Sequence, residues 1–315
     1  MDTPTKGMSP SPHISVLYEE VLDALNIKSG GRYADLTLGA GGHAAGILEA
    51  CSPEGELIGL DVDPQALKIA RKKLKPFGAR AHIYQASYLT LEDHLQALGW
   101  KDLDGITLDL GASSMQFDTP ERGFSFSHDG PLDMRFDPTK DLTAEMIVNE
   151  WEEKQISELL FKFGEERRSR KISKEIIANR PIKSTKQLAT LIKTVIGPTK
   201  QKIHPATRSF QALRIAVNAE LEAVEEIMKI AIESLSPRGR LVVISFHSLE
   251  DRIVKNIFRD ASKPLRDSQD PMNRIIRDPV VNLITRKPIV PTEKNIRENR
   301  RARSAKLRVV EKCAD

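Results

Sequence analysis

The chain is poor in cysteine, has no long apolar run and carries no dominant charge of either sign. Each shortage removes a class of protein. Two cysteines in 315 residues, Cys51 and Cys313, form no Cys-x-x-Cys pair and share no metal spacing with histidine. This excludes a disulfide framework and a cysteine-based zinc module, and a reducing compartment, the cytoplasm, is expected. No stretch of 18 apolar residues occurs, so no membrane-spanning helix and no membrane partner are expected. The first twelve residues, MDTPTKGMSPSP, lack the apolar segment of a secretory signal and are expected to fray. The 48 basic and 44 acidic residues leave a net charge of only +4, so placement of charge says more about an anionic partner than the total does. No internal repeat is present. With 40% hydrophobic residues the chain can build a sizeable core, in one large domain or two modest ones.

What the chain does have is a β-favouring run, Arg32–His43, that ends in the turn Gly39-Ala40-Gly41-Gly42 and flows into a helical pattern. A second apolar run, Leu57–Leu60, closes on Asp61, 20 residues past Gly41. Strand, glycine turn, helix and an acid at the next strand tip make a nucleoside-cofactor half-site, in which the acid accepts from a ribose diol. The turn lacks the third glycine of the dinucleotide signature. S-adenosylmethionine (SAM) has no pyrophosphate to seat, so the shorter turn leans toward SAM over NAD. The alternative is a structural turn in an unrelated α/β protein.

The alternation continues. Pro64 suits the first turn of a helix over residues 65–74, Ala81–Ala86 reads as a third strand, and 104–110 as a fourth, ending in Asp109-Leu110-Gly111. This rhythm predicts an α/β, doubly wound, mostly parallel sheet. It then stops. The next strand, Arg240–Phe246, comes roughly 125 residues later, far beyond an ordinary connection. The gap reads as helices over 144–149, 154–163, 165–179 and 185–196, the last capped by Ser184-x-x-Gln187, and then one long helix over 207–234. After the fifth strand, Ser248-x-x-Asp251 is expected to cap a helix over 249–258. Residues 260–280 read as loop, and 282–285 with 305–310 as a final antiparallel pair. The expected organisation is a first part, 1–113, a helical insertion, 114–203, and a second part, 204–315.

Ligands of open α/β sheets sit at the carboxyl ends of the strands, which gathers Gly41, Gly42, His43, Asp61, Tyr88, Asp109 and Phe246 at one rim. Tyr88 can flank an adenine. His43 is either a ligand contact or a polar helix start, and Asp35 either structural or a contact for the SAM amino group. Asp109 stands where a methyl acceptor would meet the SAM methyl; there it can accept a hydrogen bond from an exocyclic amine, or merely cap the following turn. Neither Cys51 nor Cys313 is placed to attack a pyrimidine carbon, so nitrogen or oxygen is the preferred acceptor. Residues 121–137 (ERGFSFSHDGPLDMRFD) offer Arg122, Phe124, Phe126 and Arg135 to an unpaired base, or else form a folded loop anchored by its phenylalanines. Of Arg208 and Arg214, six apart, one is expected to be structural, and His247 is read as structural before catalytic. The tail 297–308 is dense in Arg and Lys, suiting phosphates or guarding an edge strand.

Assembled in this order, the motifs resemble the ribosomal RNA small-subunit methyltransferase H (MraW) family over nearly the whole chain. The resemblance rests on His13-x-Ser15-Val16-Leu17, Asp35–His43, Asp61-x-Asp63-Pro64, Asp104–Gln116, Glu121–Phe126, Asp129–Arg135, Gly164–Arg167, His204–Ala212 and Ser245–Arg252. It implies a class I SAM-dependent methyltransferase fold, Rossmann-like with a seven-stranded sheet and an inserted all-helical domain. It implies methylation of N4 of a cytidine in the decoding region of 16S rRNA, with the small ribosomal subunit as partner. By motif position the SAM contacts fall on Gly41, Gly42, His43, Asp61, Tyr88, Asp109 and Gln116, Tyr88 standing where Phe is common. Asp109 is assigned to orienting the amine and Ser113 is the second catalytic candidate. No general base and no metal are implied, and the oligomeric state, a homodimer included, stays open. Three other readings stand beside this one: a SAM methyltransferase on another acceptor, a non-catalytic RNA-binding assembly factor, and, last, a dinucleotide dehydrogenase.

Overall fold

The computed structural model describes residues 15–198, 203–267 and 274–314. The N-terminal tail, His13 and part of the 260–280 loop lie outside the described residues. Strands β1 (Arg32–Asp35), β2 (Glu56–Asp61), β3 (Ala81–Gln85), β4 (Leu103–Asp109) and β5 (Leu235–Ser245) are followed by β6 (Leu265–Arg266) and β7 (Ile275–Arg277), which form a separate two-stranded ribbon, and by β8 (Val281–Leu283) and β9 (Lys306–Lys312). One seven-stranded sheet runs β3-β2-β1-β4-β5-β9-β8. The pairs from β3 to β5 are parallel, and β9 is antiparallel to both β5 and β8. This is the mostly parallel, doubly wound sheet expected from the sequence.

Successive side chains of a strand face opposite sides, and here both sides are buried, each in its own core cluster. Ile58, Leu60, Leu241 and Val243 join one core cluster, while Tyr33, Leu57, Val242 and Ile244 join another on the opposite face. The second face is covered by α1 (Tyr18–Leu25), α2 (Gly42–Ala50) and α3 (Pro64–Leu74); the first by α4 (Leu91–Leu98) and, later in the chain, by two helices either side of β5. The chain winds outward one way through β2 and β3 and the other way through β4 and β5. The crevice at the carboxyl ends of β1 and β4 is therefore the switch point where ligands of such sheets bind.

Between β4 and β5 come α5 (Ser114–Asp118), α6 (Ala144–Glu150), α7 (Glu153–Gly164), α8 (Ser169–Ala178), α9 (Thr185–Ile196), α10 (Thr207–Asn218) and α11 (Glu220–Glu233); α12 (Ser248–Ala261) and α13 (Glu293–Glu298) follow β5. A third core cluster, including Ile147, Leu160, Ile172, Ile192, Phe210 and Leu213, unites α6 to α10. Gly164 lets α7 and α10 meet closely: a Cβ there would lie 2.7 Å from the Arg208 carbonyl oxygen. No described helix is long and apolar enough to cross a membrane.

Four local expectations are corrected. The loop expected over 260–280 carries, in its described residues, the end of α12 and the antiparallel β6–β7 ribbon. The single helix over 207–234 is two, broken at Ala219, whose φ of 49° is left-handed. Asn218 at the break is held by the Met134 carbonyl (2.8 Å) and by the amide of Phe136 (2.7 Å), so tertiary contacts override a continuous helical pattern. Strand β5 begins at Leu235 rather than Arg240, because Pro237 sits in an irregularity of the β4–β5 register, where a missing N–H is tolerated. Helix α12 is capped one residue earlier than expected: the His247 ring accepts from the Glu250 amide, and Glu250 answers the His247 N–H.

Candidate active site

The glycine turn holds Gly39 and Gly41 at φ of 52° and 73°, conformations that cost any residue with a Cβ. Asp61 locks the turn to the end of β2: its Oδ2 accepts from the Gly39 N–H at 2.7 Å and its Oδ1 from the Asp63 N–H at 2.8 Å. Each carboxylate oxygen keeps one further lone-pair site for a ligand. Gly42 serves a different neighbour, since a Cβ there would fall 1.9 Å from the Ser15 hydroxyl.

Three acids converge at the exits of β1, β2 and β4. Burial pushes the Asp35 carboxyl up to about 7, with Asp61 adding to the rise. Burial raises Asp61 as well. Asp109 is pushed up to about 8, first by burial, then by Asp35 and Glu250. The Asp109 backbone N–H is anchored on Thr37 Oγ1 at 2.6 Å, yet its side-chain Oδ1 is buried without a partner. A buried acceptor left unpaired costs about 1–3 kcal/mol unless a ligand satisfies it. Three desolvated acids around one turn offer a pyrophosphate no countercharge, whereas a cationic ligand would favour their ionised forms. A sulfonium with an α-ammonium and a ribose diol fits this donor and charge set.

The structure gathers some expected residues there and places others elsewhere. Tyr88, on the short 3-10 turn after β3, is half-buried; burial raises its hydroxyl, and Glu220 and Glu250 add to that rise. The His43 ring is engaged with the N-terminal segment: its Nε2 meets the Val16 carbonyl at 3.1 Å, it stacks on Tyr18, and burial depresses it to about 4. The neutral ring thus donates to Val16 and fastens the N-terminal segment to α2. Gln116 is buried and engaged at both ends, accepting from the Ser113 N–H (2.9 Å) and donating to Asp63 (3.0 Å). Ser113 caps α5, accepting from the Gln116 amide.

Other residues singled out in the sequence are structural. Arg122 donates to Asp63 at 2.6 Å and to the carbonyls of Arg135 and Phe136, and Phe124 is buried, stacked on Phe136. Arg135 is held by Asp133. In the tail, Arg308 is buried on Asp251 (2.7 Å), Lys306 joins the same acid, and Arg301 bonds Asp118 of α5, while Arg300 and Arg303 stay exposed. Cys51 is buried at the end of α2, its thiol raised by burial, and stands apart from the β4 exit.

A group that sequence patterning missed lines the other wall. Arg214 bonds Glu220 at 2.8 and 2.9 Å and lies 4.0 Å from Glu250, whose Oε2 accepts from the Phe246 N–H. Burial alone would raise Glu250, but His247 and Arg214 together hold it below its ordinary value. A Cβ on Gly111, just past Asp109, would lie 3.6 Å from both Arg214 and Glu250. The sequence singles out Arg214 and His247, but no spacing in it joins them to Glu220 and Glu250. Glu220, His247 and Glu250 are also the one cluster with metal-ligand proximity among the described residues. The Arg214 guanidinium already supplies the cation there.

With this geometry in place, the relatives are informative. The chain is 46% identical over 306 residues to ribosomal RNA small subunit methyltransferase H of Symbiobacterium thermophilum, covering 95% of this chain and 96% of that protein. It is 45% identical to the proteins of the same name from Carboxydothermus hydrogenoformans (96% of this chain, 98% of that protein) and Dehalococcoides mccartyi (96% and 87%). Residues 10–313 match one family along their whole length, and with the glycine turn, Asp61 and Asp109 all at the switch point of the sheet, the chain belongs to the MraW methylase family.

Proposed function

We propose that the chain methylates the exocyclic N4 amine of a cytidine in the decoding region of small-subunit ribosomal RNA, using SAM. The orphaned, buried Asp109 Oδ1 beside the acid-ringed glycine turn carries this reading. When bound, SAM supplies an electrophilic methyl on a positively charged sulfur. Gly41 and Asp61 would form its turn and ribose contacts, with the Gly42 backbone beside them, and Tyr88 would flank the adenine, while His43 and Gln116 hold the surrounding segments in place. Residues 1–113 and 204–315 form the cofactor-binding part, and 114–203 the part that meets the acceptor.

Asp109 does the chemistry through charge. Its proton is retained near neutrality while the site holds no cation, and a positive charge beside it releases that proton. The carboxylate then accepts one N–H of the cytidine amine, which turns the nitrogen lone pair out of ring conjugation and aims it. With no cation beside it, Asp109 holds a proton near neutrality, so it would be the group to take the proton that the methylated nitrogen must shed. Chemistry at carbon 5 lacks its thiol here, because neither cysteine lies at the β4 exit.

The test is transfer from labelled SAM to small subunits purified from cells without this activity, followed by nucleoside mass spectrometry. Label in N4-methylcytidine, or its 2′-O-methylated form, is expected. Label in any other nucleoside, or none while SAM still binds, would refute the acceptor assignment.

A further inference from the structure

We infer that a cleft between α7, α10 and α12 holds a single-stranded RNA segment flanking the target base. This rests on the proposed RNA acceptor and assigns the surface that grips it. The cleft encloses about 750 Å³ and is lined by Phe161, Lys162, Glu165, Arg167, Arg208 and Arg252. Four cations face one acid, against 48 basic and 44 acidic residues in the whole chain. The acid has another task. Glu165 turns the corner after α7 at φ 49°, and its carboxylate ties that corner to α12 through Ser248 and Arg252, each at 3.2 Å. Among the described residues, Lys162, Arg167 and Arg208 have no carboxylate within ion-pair distance. Arg208 donates only to the Glu165 carbonyl, at 3.4 Å.

Phe161 is the second observation. It is 65% exposed, the most exposed large hydrophobic residue on the described surface. An aromatic face beside unpaired cations is the composition that stacks an unpaired base and neutralises the phosphates around it. The position suits the reaction. Ser248, which Glu165 grips, follows His247, and the same first turn of α12 presents Glu250 to the β4 exit. The cleft and the β4 exit are thus joined by the first turn of α12.

The test pairs two measurements on the full-length protein. A fluorescein-labelled single-stranded oligoribonucleotide of about 15 nucleotides reports binding by anisotropy across a salt series. Methyl transfer to undermethylated small subunits reports KM and kcat. Arg167→Ala and Lys162→Ala are each expected to weaken oligonucleotide binding about 5- to 10-fold and to flatten the log–log salt slope by about 0.7 per cation removed. KM should rise in parallel with kcat within twofold, and SAM affinity and Tm should stay unchanged. Phe161→Ala should weaken binding at least about 5-fold, with Phe161→Tyr restoring it, as stacking demands and a merely structural role does not. Lys154→Ala, on the same helix but outside the cleft, is the control. Variants with wild-type KM and an unaltered salt slope overturn the cleft assignment. A wild-type protein that binds the oligonucleotide through these residues yet leaves small subunits unlabelled supports the cleft and overturns the acceptor reading; one that does neither overturns both.

Discussion

Asp109→Asn separates the cost of the site from its use. Asp109 is raised from 3.8 to about 8 in the folded chain. The unfolded carboxyl ionises near 3.8, so between these values the native state binds the extra proton and stability falls as pH rises. At about 1.4 kcal/mol per unit, the interval up to pH 7 corresponds to about 4 kcal/mol, and the interval up to pH 5 to less than half of that. The asparagine removes this term and leaves a buried amide in its place, at about 1–3 kcal/mol. The variant should therefore match the wild type at pH 5, exceed it by about 1–3 kcal/mol at pH 7, and lose methyl transfer at both. Urea unfolding of the cofactor-free proteins at pH 5, 6, 7 and 8 reads the difference, and the wild-type curve should lose ground to the variant at each step. A pH-independent difference between the two proteins, or a variant less stable at pH 7, would refute the placement of a protonated acid at the β4 exit. Full turnover by the variant would remove Asp109 from the chemistry.

His43 titrates with the opposite sign. Its folded value of about 4 lies below the ordinary 6.5, so its contribution is complete above 6.5 and is lost as pH falls toward 4. His43→Gln should abolish that acid-side loss, seen as a shallower fall of Tm between pH 6.5 and 4. An unchanged profile would mean the ring is accessible to water. Arg122→Ala strands the buried Asp63 without its cation and is expected to destabilise the chain by about 3–5 kcal/mol in denaturant titration. Arg297→Ala, which breaks an exposed pair with Glu293, should leave Tm unchanged. Equal effects from the two would show that the Asp63–Arg122 bond is solvated.

Most of the sheet was legible because strand signals are local. The continuous apolar runs Leu57–Leu60 and 241–244, buried on both faces, the glycine turn, and the Asp63-Pro64 helix start each depend on a few consecutive residues. Motif order then placed Asp61 and Asp109 at strand ends, and the fold put both at the switch point. The helix break at Ala219 was invisible because it is imposed from outside, by the grip of the 134–136 segment on Asn218. Patterning also cannot report a side chain's partner. Arg122 looked available to a phosphate until Asp63, 59 residues away, was found against it, and His43 looked like a ligand until Val16 was found at its Nε2. The basic tail divided in the same way, into buried struts such as Arg308 and exposed residues such as Arg303.

The sequence by itself determined the α/β class, the doubly wound, mostly parallel sheet and the glycine turn with an acid at the next strand tip, since these follow from local periodicity and from glycine and acid positions. Only the tertiary structure decided which charges are free. Ion pairing and desolvation depend on elements that cross in space, as α7, α10 and α12 do around the cationic cleft, and as α10, α11 and α12 do in bringing Arg214, Glu220 and Glu250 against the β4 exit.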